Sequence, residues 1–206
     1  MDLFKLYHSP YHVFVNTTED SPEKLINLIL PSESSFVVAE EFDSKKLSSH
    51  STSSKSVFCL RHENWLHFMC TFSYSLWYSK EHKQKLARIK KSFDTLTLFV
   101  GDSCHSYGFS VDIKGKPNRD LFVYDNYKEL TTTINEGTPF PFECNPKKKN
   151  IDEGDYIIQI PSQFGINLNQ ITGKSQLFII PNLISNIKEV EESKKTKKPW
   201  WTFWQI

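Results

Sequence analysis

At 206 residues the chain is long enough to bury one core, or one core with a small appendage. Its 25 Lys+Arg and 24 Asp+Glu leave a formal charge of +1, without the basic excess of a protein living on nucleic-acid phosphate or the acidic excess of a nucleic-acid mimic. No window of about 18 apolar residues occurs, so no transmembrane helix is expected. Pro10 and two histidines in MDLFKLYHSPYHVF break the apolar run that a signal peptide needs.

YHVFV (11–15) reads as a short strand. Asp20-Ser21-Pro22-Glu23 then offers an N-cap, a proline at the first helical position and an early acid. The helix would carry Leu25, Ile26, Leu28, Ile29 and Leu30 and stop at Pro31. SFVVAEEF (35–42) is a second strand, and the serine-rich 44–56 a loop that separates an N-terminal αβ unit (1–43) from the main body (57–193). VFCLR (57–61) and WLHFMCTF (65–72) are strands joined tightly through His62-Glu63-Asn64. A helix follows over 79–93, with His82, Leu86, Ile89 and Phe93 on one face and lysines over the rest.

TLTLFV (95–100) is a strand, and HSYGFSVDI (105–113) alternates strictly, with His105, Tyr107, Phe109, Val111 and Ile113 on one face. KGKPN (114–118) turns the chain into a return strand, RDLFVYD (119–125), and ELTTTI (129–134) adds a more polar strand. In 152–168, Ile157, Ile160 and Phe164 fit a helix face while Pro161 interrupts it, leaving helix and strand both open. QLFIIP (176–181) reads as a strand and 182–193 as closing helical turns. The whole is expected to be an α+β protein: a central, mostly antiparallel sheet, helices packed on one side, and an aromatic C-terminal tail.

The stretch FCLRHENWLHFMC (58–70) holds two cysteines and two histidines in a C-x₂-H-x₄-H-x₂-C arrangement suggestive of zinc. A hairpin turning at Glu63-Asn64 sets Cys59 opposite Phe68, Leu60 opposite His67 and His62 opposite Trp65. Cys59 and Cys70 then share one face, and His62 and His67 the other. In a continuous helix the cysteines would stand about 16 Å apart along the axis. Neither geometry closes a four-ligand site, so no metal is expected. With no export signal, Cys59, Cys70, Cys104 and Cys144 are expected to be free thiols of a cytoplasmic protein.

In GDSCH (101–105), Cys104 and His105 are adjacent and on a strand point to opposite faces, which argues against a nucleophile–base pair. No phosphate-cradling loop, nucleophile elbow or HExxH motif occurs. Neither catalytic residues nor a cofactor are expected. The lysines of the 79–91 helix lack the interleaved aromatics of a nucleic-acid face. The tail KKTKKPWWTFWQI (194–206) joins lysines to Trp200, Trp201, Phe203 and Trp204, a composition suited to docking on the body or a partner, or to a membrane surface.

The order of features over 57–143 resembles bacterial immunity proteins of contact-dependent and type VI-type toxin systems. It comprises VFCLRHENWLHFM, a helix, a strand ending in Gly101-Asp102, the hairpin SYGFSVDIKGKPNRDLFVYD and a closing EGTPFPFE. That last piece carries a Gly-x-Pro-hydrophobic-Glu ending through Gly137, Pro139 and Glu143. The resemblance implies a cytoplasmic, non-enzymatic protein that binds a cognate toxin. An inhibitor of a basic toxin would be steered by acidic charge. The residues available for such a patch are Asp120, Asp125, Glu129, Glu136, Glu143, Asp152, Glu153 and Asp155, with Trp200, Trp201 and Trp204 as further candidate partner contacts. The rival expectation is a peripheral membrane or secretion-associated adaptor held by the Lys/Trp tail.

Overall fold

The computed structural model describes residues 11–29, 37–42, 56–70, 80–100, 107–125, 130–144, 159–168 and 175–179. In chain order the elements are β1 (Tyr11–Asn16), α1 (Pro22–Ile29), β2 (Val37–Phe42), β3 (Ser56–His62), β4 (Trp65–Cys70), α2 (Lys80–Ser92), β5 (Thr95–Val100), β6 (Tyr107–Ile113), β7 (Lys116–Asp125), β8 (Leu130–Gly137) and β9 (Ser175–Ile179). Among the described residues the protein is mostly β: nine strands form one sheet in the order β2-β9-β3-β4-β1-β5-β6-β7-β8, every neighbour antiparallel. The strand nearest the N-terminus, β1, lies in the middle of this sheet, between β4 and β5.

Alternation divides the strands into two faces. One cross-sheet row runs Leu60, His67, Phe14, Leu96, Val111, Arg119, Gly137. Its neighbour runs Met69, His12, Leu98, Phe109, Leu121. This face (face A) meets Ile160, Ile166 and Leu168 in one apolar cluster, with Phe140, Phe142 and Phe164 packed against it. The segment 159–168 therefore supplies part of the cover. The alternative left open by its sequence resolves as a short helical turn over 159–162. Pro161 falls within the first turn, where its missing N–H takes no bond away from a helix.

The opposite face (face B) carries Cys59, Phe68, Val13, Thr97, Ser110, Asp120 and Glu136 in a single row. Lys90 of α2 reaches this face, its Nζ 2.7 Å from Asp112 Oδ2 and donating to Ser110 Oγ at 2.8 Å. Leu86 and Ile89 on the same helix are buried, as are Leu25 and Ile26 of α1. α1 starts as its sequence signals demand, with Ser21 ahead of Pro22 and the Ser21 carbonyl accepting from Lys24 N.

Three features differ from expectation for identifiable reasons. The turn between β6 and β7 is two residues, not five: Lys114 (φ 51°) and Gly115 (φ 74°) both take the left-handed conformation favoured in tight hairpins. Strand β8 continues to Gly137, because Arg119 bonds the Asn135 side chain and the Glu136 carbonyl across the hairpin. β6 is buried on both faces, Gly108, Ser110 and Asp112 included, where its alternation suggested one buried face. The turn at Glu63-Asn64 and the cross-strand pairs of the 57–70 hairpin stand as expected. Residues 35–36, 44–55, 71–72, 79, 101–106, 129, 152–158, 180–193 and the tail 194–206 lie outside the described residues.

Gly137 is required twice over. Its φ is +82°, and a Cβ there would stand 2.1 Å from the Asn118 carbonyl oxygen. Gly137→Ala is expected to destabilise the protein by about 2–4 kcal/mol, read as a fall in the urea midpoint at unchanged m-value.

Candidate functional site

Along the face-B row the side chains change character with position. Cys59, Phe68 and Val13 are buried apolar groups, Thr97 and Ser110 are buried hydroxyls, and Asp120 and Glu136 end the row as carboxylates. The sheet thus runs from a dry centre to an acidic margin at β7 and β8. Asp120 and Glu136 are direct cross-strand partners, a placement in which like charges repel. Asp120 Oδ1 is buried and accepts no hydrogen bond among the described residues. Burial is the main reason the Asp120 carboxyl is pushed up to about 6, with Asp112 and Glu136 adding to it and Lys90 and Arg119 opposing it.

Lys90 is committed beside it. The ammonium is paired with Asp112, and Ser110 Oγ donates to the same carboxylate oxygen at 3.2 Å. Asp120 is therefore left with a lysine that is already engaged and a neighbour, Glu136, of its own charge.

The other polar assembly near this margin is on face A. Arg119, 2% exposed, donates through Nε to both Glu143 oxygens (3.1 and 3.2 Å) and through Nη1 to Asn135 Oδ1 at 2.7 Å. Its guanidinium also lies 5.8 Å from the Phe109 ring centre. Glu143 in turn accepts from Phe140 N at 2.7 Å. The closing Gly-x-Pro-hydrophobic-Glu piece is consequently a strap: Gly137 allows the close turn, and Glu143 fastens the far end to β7. Phe140 stacks on Phe142 and meets Phe164 edge-on, and Phe164 meets Trp65 the same way, carrying the strap across face A.

A third cluster was not visible as a unit in the sequence. His12 of β1, His67 of β4 and His62 of β3 share face A, 4%, 0% and 5% exposed. His12 Nδ1 and His67 Nε2 are 3.0 Å apart, and the His62 and His67 ring centres 5.6 Å. The outer nitrogens, His67 Nδ1 and His62 Nε2, are buried without hydrogen-bond partners among the described residues. Burial lowers the His62 pKa to about 4; His67 is held well below its ordinary value by burial, then by His12 and His62. Periodicity placed His62 and His67 together, but only the insertion of β1 beside β4 adds His12.

The zinc-like stretch separates as alternation requires. Cys59 sits in the face-B row and pairs with Phe68, while His62 and His67 face the other way. The Cys59 thiol is free and buried, and burial pushes its pKa above the ordinary range. Among the described residues no group of three His, Cys, Asp or Glu side chains is placed to hold a metal. Of the sequence-derived partner residues, Asp120 and Glu136 are brought together. Asp125 ends β7 opposite Leu130, and the structure describes only its backbone. Glu129, Asp152, Glu153, Asp155, Trp200, Trp201 and Trp204 lie outside the described residues, as do Cys104 and His105. Glu143 belongs to the Arg119 pair rather than to an acidic patch.

Among the described residues no helix is long and apolar enough to cross a membrane. Comparison of the chain with family models, with curated proteins and with solved structures returned no match.

Two substitutions separate the roles of these carboxylates. Glu143→Gln leaves Arg119 buried without its counter-ion and is expected to cost about 3 kcal/mol in urea unfolding; Arg119→Met with Glu143→Gln should recover part of that loss. Asp120→Asn has the opposite sign. The native carboxyl titrates near 6 and the unfolded one at 3.8, so the charged form penalises the fold fully above about pH 6 and not at all below pH 3.8. Asp120→Asn is expected to raise stability by about 1–2 kcal/mol at pH 7.5, a gain that fades between pH 6 and 4.

Proposed function

We propose that the chain is a non-enzymatic, cytoplasmic immunity protein that binds and neutralises a cognate bacterial toxin, meeting it with the acidic β7–β8 margin of its sheet. The observation that carries this reading is the Asp120–Glu136 pair: two carboxylates directly opposed, one of them with a buried oxygen that accepts no hydrogen bond among the described residues. Such a pair weakens the isolated fold. A lysine or arginine presented by a partner at the exposed Glu136 relieves the repulsion, so the same pair that costs stability alone strengthens a complex.

The remaining features are compatible with this role. A net charge of +1 gives no long-range attraction to a basic toxin, so recognition rests on the local acidic margin. In this reading α1 and α2 form the helical layer over the Val13–Val15 side of the sheet, completing the α+β architecture expected from the sequence. The Arg119–Glu143 strap fixes β7 and β8 relative to each other, which holds Asp120 and Glu136 in one geometry before a partner arrives.

The test is protection of cells. Where the product of a neighbouring gene poisons cells, co-expression with this chain is expected to restore growth, and the two proteins to co-purify. Asp120→Asn with Glu136→Gln should weaken the complex by about 2–5 kcal/mol while leaving the chain folded. Unimpaired binding by that double variant would move the interface elsewhere, and a neighbouring product that neither binds nor poisons cells would remove the immunity reading itself.

A further inference from the structure

Two segments distant in sequence meet on one surface of the protein. The turn between β6 and β7 lies against the C-terminal end of α2. A Cβ on Gly115 (φ 74°) would stand 3.0 Å from the Lys91 carbonyl oxygen and 3.3 Å from Lys91 Cα, so the bare glycine backbone permits the approach. Lys114 N donates to Asp94 Oδ1 at 2.7 Å and fastens the turn to the link between α2 and β5. Arg88 and Lys91, three residues apart, share one face of α2. Lys114 and Lys116 flank Gly115. All four side chains are exposed, and among the described residues none of them is in an ion pair. Lys90, by contrast, is turned inward to Asp112.

We propose that Arg88, Lys91, Lys114 and Lys116 form a contact surface for the phosphate backbone of double-stranded DNA, independent of base sequence. The turn and the helix end hold one another, so the four cations are set on a fixed framework before DNA arrives.

Within 84–94 and 113–118 the only carboxylate besides these cations is that of Asp94, half-buried and engaged by the Lys114 amide. The other exposed residues there are Gln84, Ala87, Ser92, Gly115, Pro117 and Asn118, none of them aromatic or a large aliphatic. Protein partners are held by buried aromatic and aliphatic anchors, membranes by apolar side chains set among the cations, and single strands by stacking. This surface offers none of these. It suits a partner recognised by charge and polar contacts alone, and duplex DNA, its bases stacked out of reach, carries about one charge per 1.7 Å of axis. The formal charge of +1 supplies no long-range pull, so contact is made within about 10 Å at 0.1 M salt. Lys116 and Asp120 are four residues apart on β7, or roughly 13 Å at about 3.3 Å per residue. The Asp120–Glu136 margin therefore repels DNA from its own end of β7, and this surface stands whether or not that margin meets a toxin.

Binding is measured with the full chain by fluorescence anisotropy of a labelled, mixed-sequence DNA duplex of about 20 base pairs, between about 25 and 100 mM salt. Four phosphate contacts give a slope of log K against log salt of about −3.6, a weakening of roughly 150-fold over that range. Lys91→Gln and Lys114→Gln should each flatten the slope by about 0.9. Lys24→Gln, which takes the same charge from α1, should leave it unchanged. A single strand of equal length, an RNA duplex and phosphatidylserine vesicles should all bind more weakly than the DNA duplex. No binding at the lowest salt, binding of any of these three at least as tight, or an equal effect of Lys24→Gln would overturn the proposal.

Discussion

A strand in the middle of a sheet that is itself buried on both faces must give every side chain either an apolar neighbour or a hydrogen-bond partner, and β1 is under that constraint at each position from His12 to Val15. Val13 and Val15 meet it with face B, and Phe14 with face A. His12 meets it differently, through the ring nitrogen of His67 on the neighbouring strand. The position of β1 fixes the rest. It brings the β3–β4 hairpin alongside the β5–β8 meander, so that two local antiparallel units become one sheet with a continuous apolar row on each side. Removing it would leave β4 and β5 as unpaired edges in the middle of the molecule.

The same alternation explains why much of the fold could be read from the sequence. The 57–70 hairpin is specified by local signals: a two-residue turn, and a pattern in which a register slip of one would drive Cys59 and Phe68 out of the face they share. The β6–β7 hairpin is specified likewise by Lys114-Gly115. What local signals do not carry is the partner of β1, because pairing over fifty residues of sequence leaves no periodic trace. His12 therefore looked unremarkable in YHVFV, although it completes the histidine row. The acidic margin was half visible for a related reason. Asp120 and Glu136 were candidates by charge, but only the β7–β8 register makes them opposed, and the bulge between Phe122 and Val123 shifts that register along the strand.

Polar groups inside the sheet sort by how completely they are matched. Arg119 is matched on every side: a carboxylate, an amide, two backbone carbonyls and an aromatic face surround it. It acts as a rivet for the strap and for β8. Lys90, Ser110 and Asp112 are matched among themselves. Asp120, His62 and His67 each keep a buried atom with no partner among the described residues. Matched groups specify a structure. Unmatched ones hold free energy that a proton or a partner can release, which is why the proposed function rests on Asp120 and not on the more numerous interactions of Arg119.

The unmatched groups also act against one another as pH falls. Between about pH 6 and pH 4 the native Asp120 holds a proton that the unfolded chain does not, so acidification favours the fold there. Over nearly the same range His62 and His67 stay neutral in the fold while the unfolded chain takes up protons, so acidification disfavours it. The two effects oppose each other over this range. The response of the fold to acid is therefore a balance between a carboxyl on face B and imidazoles on face A, which the sheet itself keeps apart.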